Sequence, residues 1–325
     1  DVCFGYSQKA NNIWRPSEFI GGLASTLTIN NHYFGQFLVA LLLTISYFIY
    51  SKKIFNQTIA TGLTTNKLKS LLANPMIVVV NTVIITFTWP LMNYSTNALR
   101  QGVGLSFIGF ACYFLMKVSQ DRYNSRKARY LDCLWVGLFL FLAFFSHSSA
   151  KLMVFLLIMS IISAYIFSAA KQKYGFLFTQ VIIQTSIILF VFDRFQVYSR
   201  SAEHRTGADL SQLILVFCIL TLIFIYLRFK RFAEYTSNTV AIFCISLAIS
   251  PIILFNNTLV CERLFANLYF LVTPLFLITV LSFKPRSVSL LTYYFVPILL
   301  TFVGGLYRSV LVNSSLIGFC NIGRV

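Results

Sequence analysis

Apolar positions in this chain come in unbroken blocks rather than in one-sided stripes. Ten such runs fall at 32–50, 75–92, 98–116, 131–145, 150–170, 174–192, 210–227, 239–255, 264–283 and 288–307, separated by short polar segments. A helix that is apolar on every side has no face to offer water, so it belongs in a core or in lipid. About 20 residues at about 1.5 Å each match the roughly 30 Å hydrocarbon layer of a bilayer. The pattern therefore predicts an all-α, polytopic integral-membrane protein, with residues 1–325 forming a single membrane domain of about ten transmembrane helices. Pro90 interrupts the second run and Pro251 lies inside the eighth. The fourth and fifth are joined only by 146–149, a tight reversal. Segment 1–31 is polar, and 193–209 is the longest polar connection on its side of the bundle. The first residue is Asp1 and no signal-peptide pattern follows, so a further helix is expected ahead of it.

Composition agrees with the pattern. The 325 residues are 58% hydrophobic, 17% aromatic and 11% charged, with a mean hydropathy of +0.77. The net charge of +17 would suit nucleic acid if it formed one patch, but most of it is spread over short loops, so no nucleic-acid partner is expected. The loops after the odd-numbered runs carry sixteen Lys and Arg against three acids, Asp121, Asp132 and Glu234; the opposite face carries the other ten cations and six acids. Lysine and arginine accumulate on the cytoplasmic side, which makes the first set cytoplasmic and the second external. Cysteine usage adds little. Cys112, Cys133, Cys218 and Cys244 read as small side chains within or beside spans. Cys3, Cys261 and Cys320 are expected outside the spans on one face, where a disulfide among them is open but not deducible.

That placement gathers the polar chemistry on the external side. Arg100 stands about one turn inside the start of its helix, where a charge is costly and is kept for a partner or a task. His147 sits in the 146–149 reversal between serines. Arg194, Tyr198, Arg200, Glu203 and Arg205 crowd the 193–209 loop together with Asp193 and His204. Glu262 and Arg263 open the ninth run, with Tyr269 about two turns deeper. Guanidinium forks at membrane level suit the paired oxygens of a lipid-borne pyrophosphate. Each feature also has a plainer reading: helix-end arginines snorkel to headgroups, a turn histidine caps a helix, and adjacent Glu and Arg form a weak ion pair. Their coincidence on one face carries the functional reading. No HExxH, no acidic DxD pair and no Gly-rich phosphate loop is present, so neither a metal nor a nucleotide cofactor is expected.

Three segments carry a resemblance. The run Thr96-Asn97-Ala98-Leu99-Arg100-Gln101-Gly102, the turn Phe144-Phe145-Ser146-His147-Ser148-Ser149-Ala150, and Glu262-Arg263-Leu264 ahead of Tyr269 and Pro274 resemble, in order and spacing, the EpsG/Wzy family of polysaccharide polymerases. Tyr198-Ser199-Arg200 resembles that family's central external loop, and Asp1 with Tyr6 its early segment. The resemblance implies a GT-C-like, metal-independent, inverting glycosyltransferase of the bacterial inner membrane with its site facing the periplasm. Segments 1–31 and 193–209 would then be periplasmic. It would join undecaprenyl-pyrophosphate-linked repeat units into O-antigen or exopolysaccharide, releasing undecaprenyl pyrophosphate, beside a chain-length regulator and a flippase. On this reading Arg100 and Arg263 meet the pyrophosphate, and Arg194, Arg200 and Arg205 add to them. His147 is base or acceptor-orienting group, with Glu203, Glu262 and Asp193 as rival bases. Asn97, Tyr198, Tyr269, Asp1 and Tyr6 contact substrate. An O-antigen ligase, a lipid-linked oligosaccharide flippase and a membrane acyltransferase are the alternatives. The first lacks the large external loop it would need, and the second the mid-membrane cations.

Overall fold

The structure, a computed structural model, describes residues 32–62, 65–88, 90–92, 99–119, 126–170, 179–188, 208–254 and 258–282. Every regular element among them is a helix. In chain order they are α1 His32–Ala60, α2 Asn66–Ala73, α3 Pro75–Thr86, α4 Leu99–Val118, α5 Arg126–Phe144, α6 Ser148–Ala170, α7 Thr179–Ile188, α8 Ala208–Leu227, α9 Phe229–Tyr235, α10 Asn238–Ile253 and α11 Thr258–Leu281. Among the described residues, four stretches are long and apolar enough to cross a membrane: Phe34–Ala60, Leu99–Val118, Ser149–Ile166 and Val260–Leu281. The α2–α3 pair makes a fifth if its bent halves count as one span, and Thr179–Ile188, Ile214–Leu227 and Asn238–Ile253 are shorter apolar helices. The tenth expected span lies outside the described residues.

The outer surface identifies the solvent. Phe34, Phe37, Leu41 and Ile45 on α1 are exposed, as are Leu131, Leu134, Leu138 and Phe141 on α5 and Val216, Leu220, Ile223 and Leu227 on α8. These positions recur every three or four residues, so each helix turns a continuous apolar stripe outward. Stripes on several helices far exceed what a water-soluble protein exposes, and their natural neighbour is hydrocarbon.

Helix α11 is the centre of the bundle. It buries 83% of its most apolar window against 39% for α1, and it packs against α1, α8 and α10. Lipid gives little drive to bring apolar helices together, so close packing and polar contacts must do it. Helix α4 shows the first device. Ser46 Oγ on α1 donates to the Ser106 carbonyl at 2.7 Å, and a Cβ on Gly109 would collide with Ser46 and with the Phe270 ring. Its other side stacks Phe110 and Phe114 on Phe139 of α5, with Trp135 alongside. Polar contacts supply the second device. Tyr47 OH pairs with Thr273 Oγ1 at 2.9 Å and receives Asn81 Nδ2 at 3.1 Å, tying α1, α3 and α11 together. Between α7 and α10, Ser246 and Ser250 donate to the Gln180 and Gln184 carboxamide oxygens at 3.0 and 3.1 Å.

Several boundaries differ from the hydropathy reading, each for a local reason. Helix α1 runs ten residues past 50, through Lys52 and Lys53, to Ala60. Lysine is a good helix former, so it marks the edge of the apolar run and not the end of the helix. The turn comes at Gly62, whose φ of 69° suits a residue without Cβ. The polar segment ahead of the second run forms a helix of its own, α2, which meets α3 at 66°. Pro75 cannot extend α2, while Asn74 Oδ1 accepts from Met76 N at 2.9 Å and starts α3 afresh. Helix α11 begins at Thr258, six residues before 264. Cys261 is therefore not in a loop. It is a buried free thiol whose Sγ lies 3.3 Å from the Pro251 carbonyl and 3.0 Å from that of Leu254, at the end of α10.

Candidate functional site

Three of the sequence segments meet at one end of the bundle. The first turn of α4 brings Arg100 and Gln101; the α5–α6 reversal brings His147; the first turns of α11 bring Glu262 and Arg263. Arg100, His147, Glu262 and Arg263 are half-buried, and Gln101 is buried. The join between α4 and α11 is a side-chain contact. With the Gln101 carboxamide turned so that oxygen faces the guanidinium, as charge requires, it accepts from Arg263 Nε at 2.9 Å and from Nη2 at 3.2 Å. Two donors on one acceptor hold the planar fork in a single orientation.

The join between α4 and the reversal is a close approach of backbones. Gly104 lies one turn below Arg100, and a Cβ built on it would stand 2.7 Å from the Ala150 Cβ and 3.6 Å from that of Ser146. Only glycine lets the α5–α6 turn sit this near the start of α4. Small residues at Gly104 and Ala150 therefore set the distance between the arginine and the histidine.

The turn itself follows from its residues. Phe145 N and Ser146 N bond back to Phe141 and Ala143 carbonyls, closing α5 at 3.2 and 3.1 Å. His147 then caps α6: its Nδ1 accepts the Ser149 backbone N–H at 3.1 Å and lies 2.9 Å from Ser149 Oγ. A backbone N–H can only donate, so Nδ1 must hold its lone pair free of a proton. In the neutral ring the proton is then on Nε2, and the group that His147 presents beyond the turn is a donor. Lys151, one turn into α6, adds a further cation at this end, its Nζ 5.2 Å above the Phe144 ring.

Two sequence expectations change here. Tyr269 is 1% exposed, packed beside Phe217 and Phe265 with its hydroxyl 3.3 Å from Thr88 Oγ1. It is a core residue six positions below Arg263, and the substrate contact assigned to it gives way to a packing role. Gln101 moves the other way. It stood in the motif without a role, and it proves to be the residue that joins α4 to α11. A carboxamide at the head of an otherwise apolar helix was the available signal, since burial of such a group demands a partner. Asp1, Tyr6, Asn97, Asp193, Arg194, Tyr198, Arg200, Glu203 and Arg205 lie outside the described residues. Among the described residues no three His, Cys, Asp or Glu side chains cluster as metal ligands would.

The arrangement is thus a half-buried cluster of cations, a histidine donor and one carboxylate at the end of a helix bundle. Fixed donors in a partly desolvated site act on a negative charge more strongly than the same groups in water. Comparison with family models, with curated proteins and with solved structures returned no match.

Proposed function

We propose that this chain is a membrane glycosyltransferase that polymerises lipid-pyrophosphate-linked oligosaccharide repeat units. The observation that carries the reading is the double hydrogen bond from Arg263 to Gln101, which unites two of the three segments that resemble the EpsG/Wzy polymerases. In such a reaction the acceptor hydroxyl attacks the anomeric carbon of the donor, the C–O bond to pyrophosphate breaks, and the leaving group gathers negative charge. Arg100 and Arg263 bind that pyrophosphate, with Arg263 aimed by Gln101. His147 donates from Nε2 to a sugar or phosphate oxygen. That tautomer leaves the base role to a carboxylate, and Glu262 is the one beside Arg263; Glu203 and Asp193 remain its rivals. No metal is required when cations and donors already stand at the leaving group.

Around this core stand the finer features that the resemblance implies: a GT-C-like bundle of about ten spans in a bacterial inner membrane, with the site on the periplasmic face. Undecaprenyl pyrophosphate is the carrier released. The test uses purified protein and synthetic undecaprenyl-pyrophosphate repeat units with EDTA present. A product ladder that vanishes in R100A and R263A is expected. No ladder, together with transbilayer movement of the same lipid in liposomes, overturns the transferase and favours a flippase.

A further inference from the structure

The other end of α11 holds a second feature. Between the last turns of α8 and α11 and the short helix α9 lies a cleft of about 170 Å³. From Arg263 to Thr279 is sixteen residues, about 24 Å along the helix axis. The cleft therefore stands near the far side of a hydrocarbon layer about 30 Å thick. The two sites share a helix and no residue.

Its walls are of two kinds. Phe224, Phe232, Leu275 and Ile278 form an apolar floor, the first half-buried and the other three part of the core. At the mouth stand Arg228 and Arg231, both exposed, with Tyr235 half-buried near them. Burial pushes the Tyr235 phenol up from its ordinary range; the Arg231 and Arg228 guanidinium groups pull it down and the neighbouring Glu234 carboxylate pushes it up, so it stays an O–H donor at neutral pH. Thr279 and Ser282 behave differently. Each hydroxyl donates to its own helix, at 2.9 Å to the Leu275 carbonyl and 2.8 Å to that of Ile278. Their oxygens are left as acceptors. Two cations beside an apolar slot, with hydroxyl acceptors alongside, match an amphiphile with a phosphate, an acyl chain and a headgroup hydroxyl.

We infer that this cleft is a binding site for an anionic phospholipid of the bilayer, its phosphate held by Arg228 and Arg231 and an acyl chain laid over Phe224, Phe232 and Ile278. The site acts as an anchor for the leaflet opposite the Arg100–Arg263 cluster, and it does not depend on what reaction that cluster performs. Zwitterionic lipids fit less well, because a choline or ethanolamine head brings a positive charge toward two guanidinium groups.

The test is native mass spectrometry of the delipidated protein in detergent, titrated in separate arms with phosphatidylglycerol, phosphatidylcholine, undecaprenyl phosphate and inorganic phosphate. Wild type is expected to retain phosphatidylglycerol over phosphatidylcholine by roughly thirtyfold, the effect of two interfacial cations. The R228Q/R231Q variant should lose that preference, and R228K/R231K should keep most of it. Thermal unfolding in detergent checks that each variant is folded. Equal retention of phosphatidylglycerol in the R228Q/R231Q variant overturns the assignment. Retention of undecaprenyl phosphate alone overturns the bilayer lipid as its source, and binding of inorganic phosphate as tight as that of lipid overturns the role of the apolar floor.

Discussion

At the scale of single residues, the candidate site turns on two side chains that hold others. Gln101 fixes the plane of Arg263 through two hydrogen bonds to one oxygen. Its replacement by alanine leaves the cation but frees its orientation, and misplacement of a binding group costs on the order of a hundredfold in rate. Polymerisation assays on Q101A are expected to show that loss with little change in thermal unfolding. Q101E separates position from charge: the contact persists, the arginine is neutralised, and activity should fall as well. His147 allows a similar separation because it both caps α6 and presents Nε2. H147A should lose the cap, at about 1 kcal/mol, and the donor together. Asparagine caps a helix equally well, so H147N should unfold near the wild-type temperature yet lose activity. Normal polymer length in H147N would leave His147 with the cap alone.

Among the helices, spacing is set by residues too small to separate them. Helix α4 touches α1, α5 and α6, and it approaches α1 through Gly109 and the α5–α6 turn through Gly104. A methyl group on Gly109 has no room between Ser46 and Phe270. G109A is expected to cost about 1–3 kcal/mol, read as a lower unfolding temperature in detergent. Gly137 on α5 is the control, since a Cβ there meets nothing within 4 Å. G137A should be neutral or stabilising by up to about 1 kcal/mol through helix propensity. The prolines act at the same scale. Pro274 lies inside α11, where a proline removes the backbone donor to the Phe270 carbonyl, and at the neighbouring carbonyl, of Leu271, Tyr50 OH donates at 2.9 Å.

For the molecule as a whole, the charge asymmetry and the position of the cluster make one statement about topology. Lys117 and Asp132 pair at 2.8 Å at the end of α4 away from Arg100, beside the most basic loop. If that end faces the cytoplasm, a cysteine at position 148 reacts with a membrane-impermeant maleimide in intact cells and one at position 127 only after permeabilisation. S148C and K127C in a C3A/C133A/C320A background, whose remaining thiols at 112, 218, 244 and 261 are buried, test this directly. The reverse pattern would put Arg100 and Arg263 on the cytoplasmic side and remove the basis for a periplasmic polymerase.

What the sequence determined by itself is the kind of molecule and the order of its apolar segments. Apolar blocks about as long as a bilayer is thick admit only helices, because backbone groups in hydrocarbon must bond within their own segment. Each expected span that falls among the described residues corresponds to a helix. That the segments carrying Arg100, His147 and Arg263 come together at one end of the bundle was also legible, since charges are tolerated only at the ends of such blocks. The structure alone decided what touches what. No periodicity announces that Gln101 accepts from Arg263 across 162 positions, that Gly104 admits the 146–149 turn, or that Tyr269 turns into the core. Hydropathy is a property of each segment taken singly. The contacts depend on the rotation of every helix about its axis, and in an all-apolar helix that rotation is chosen by the packing of its neighbours, which no single segment encodes.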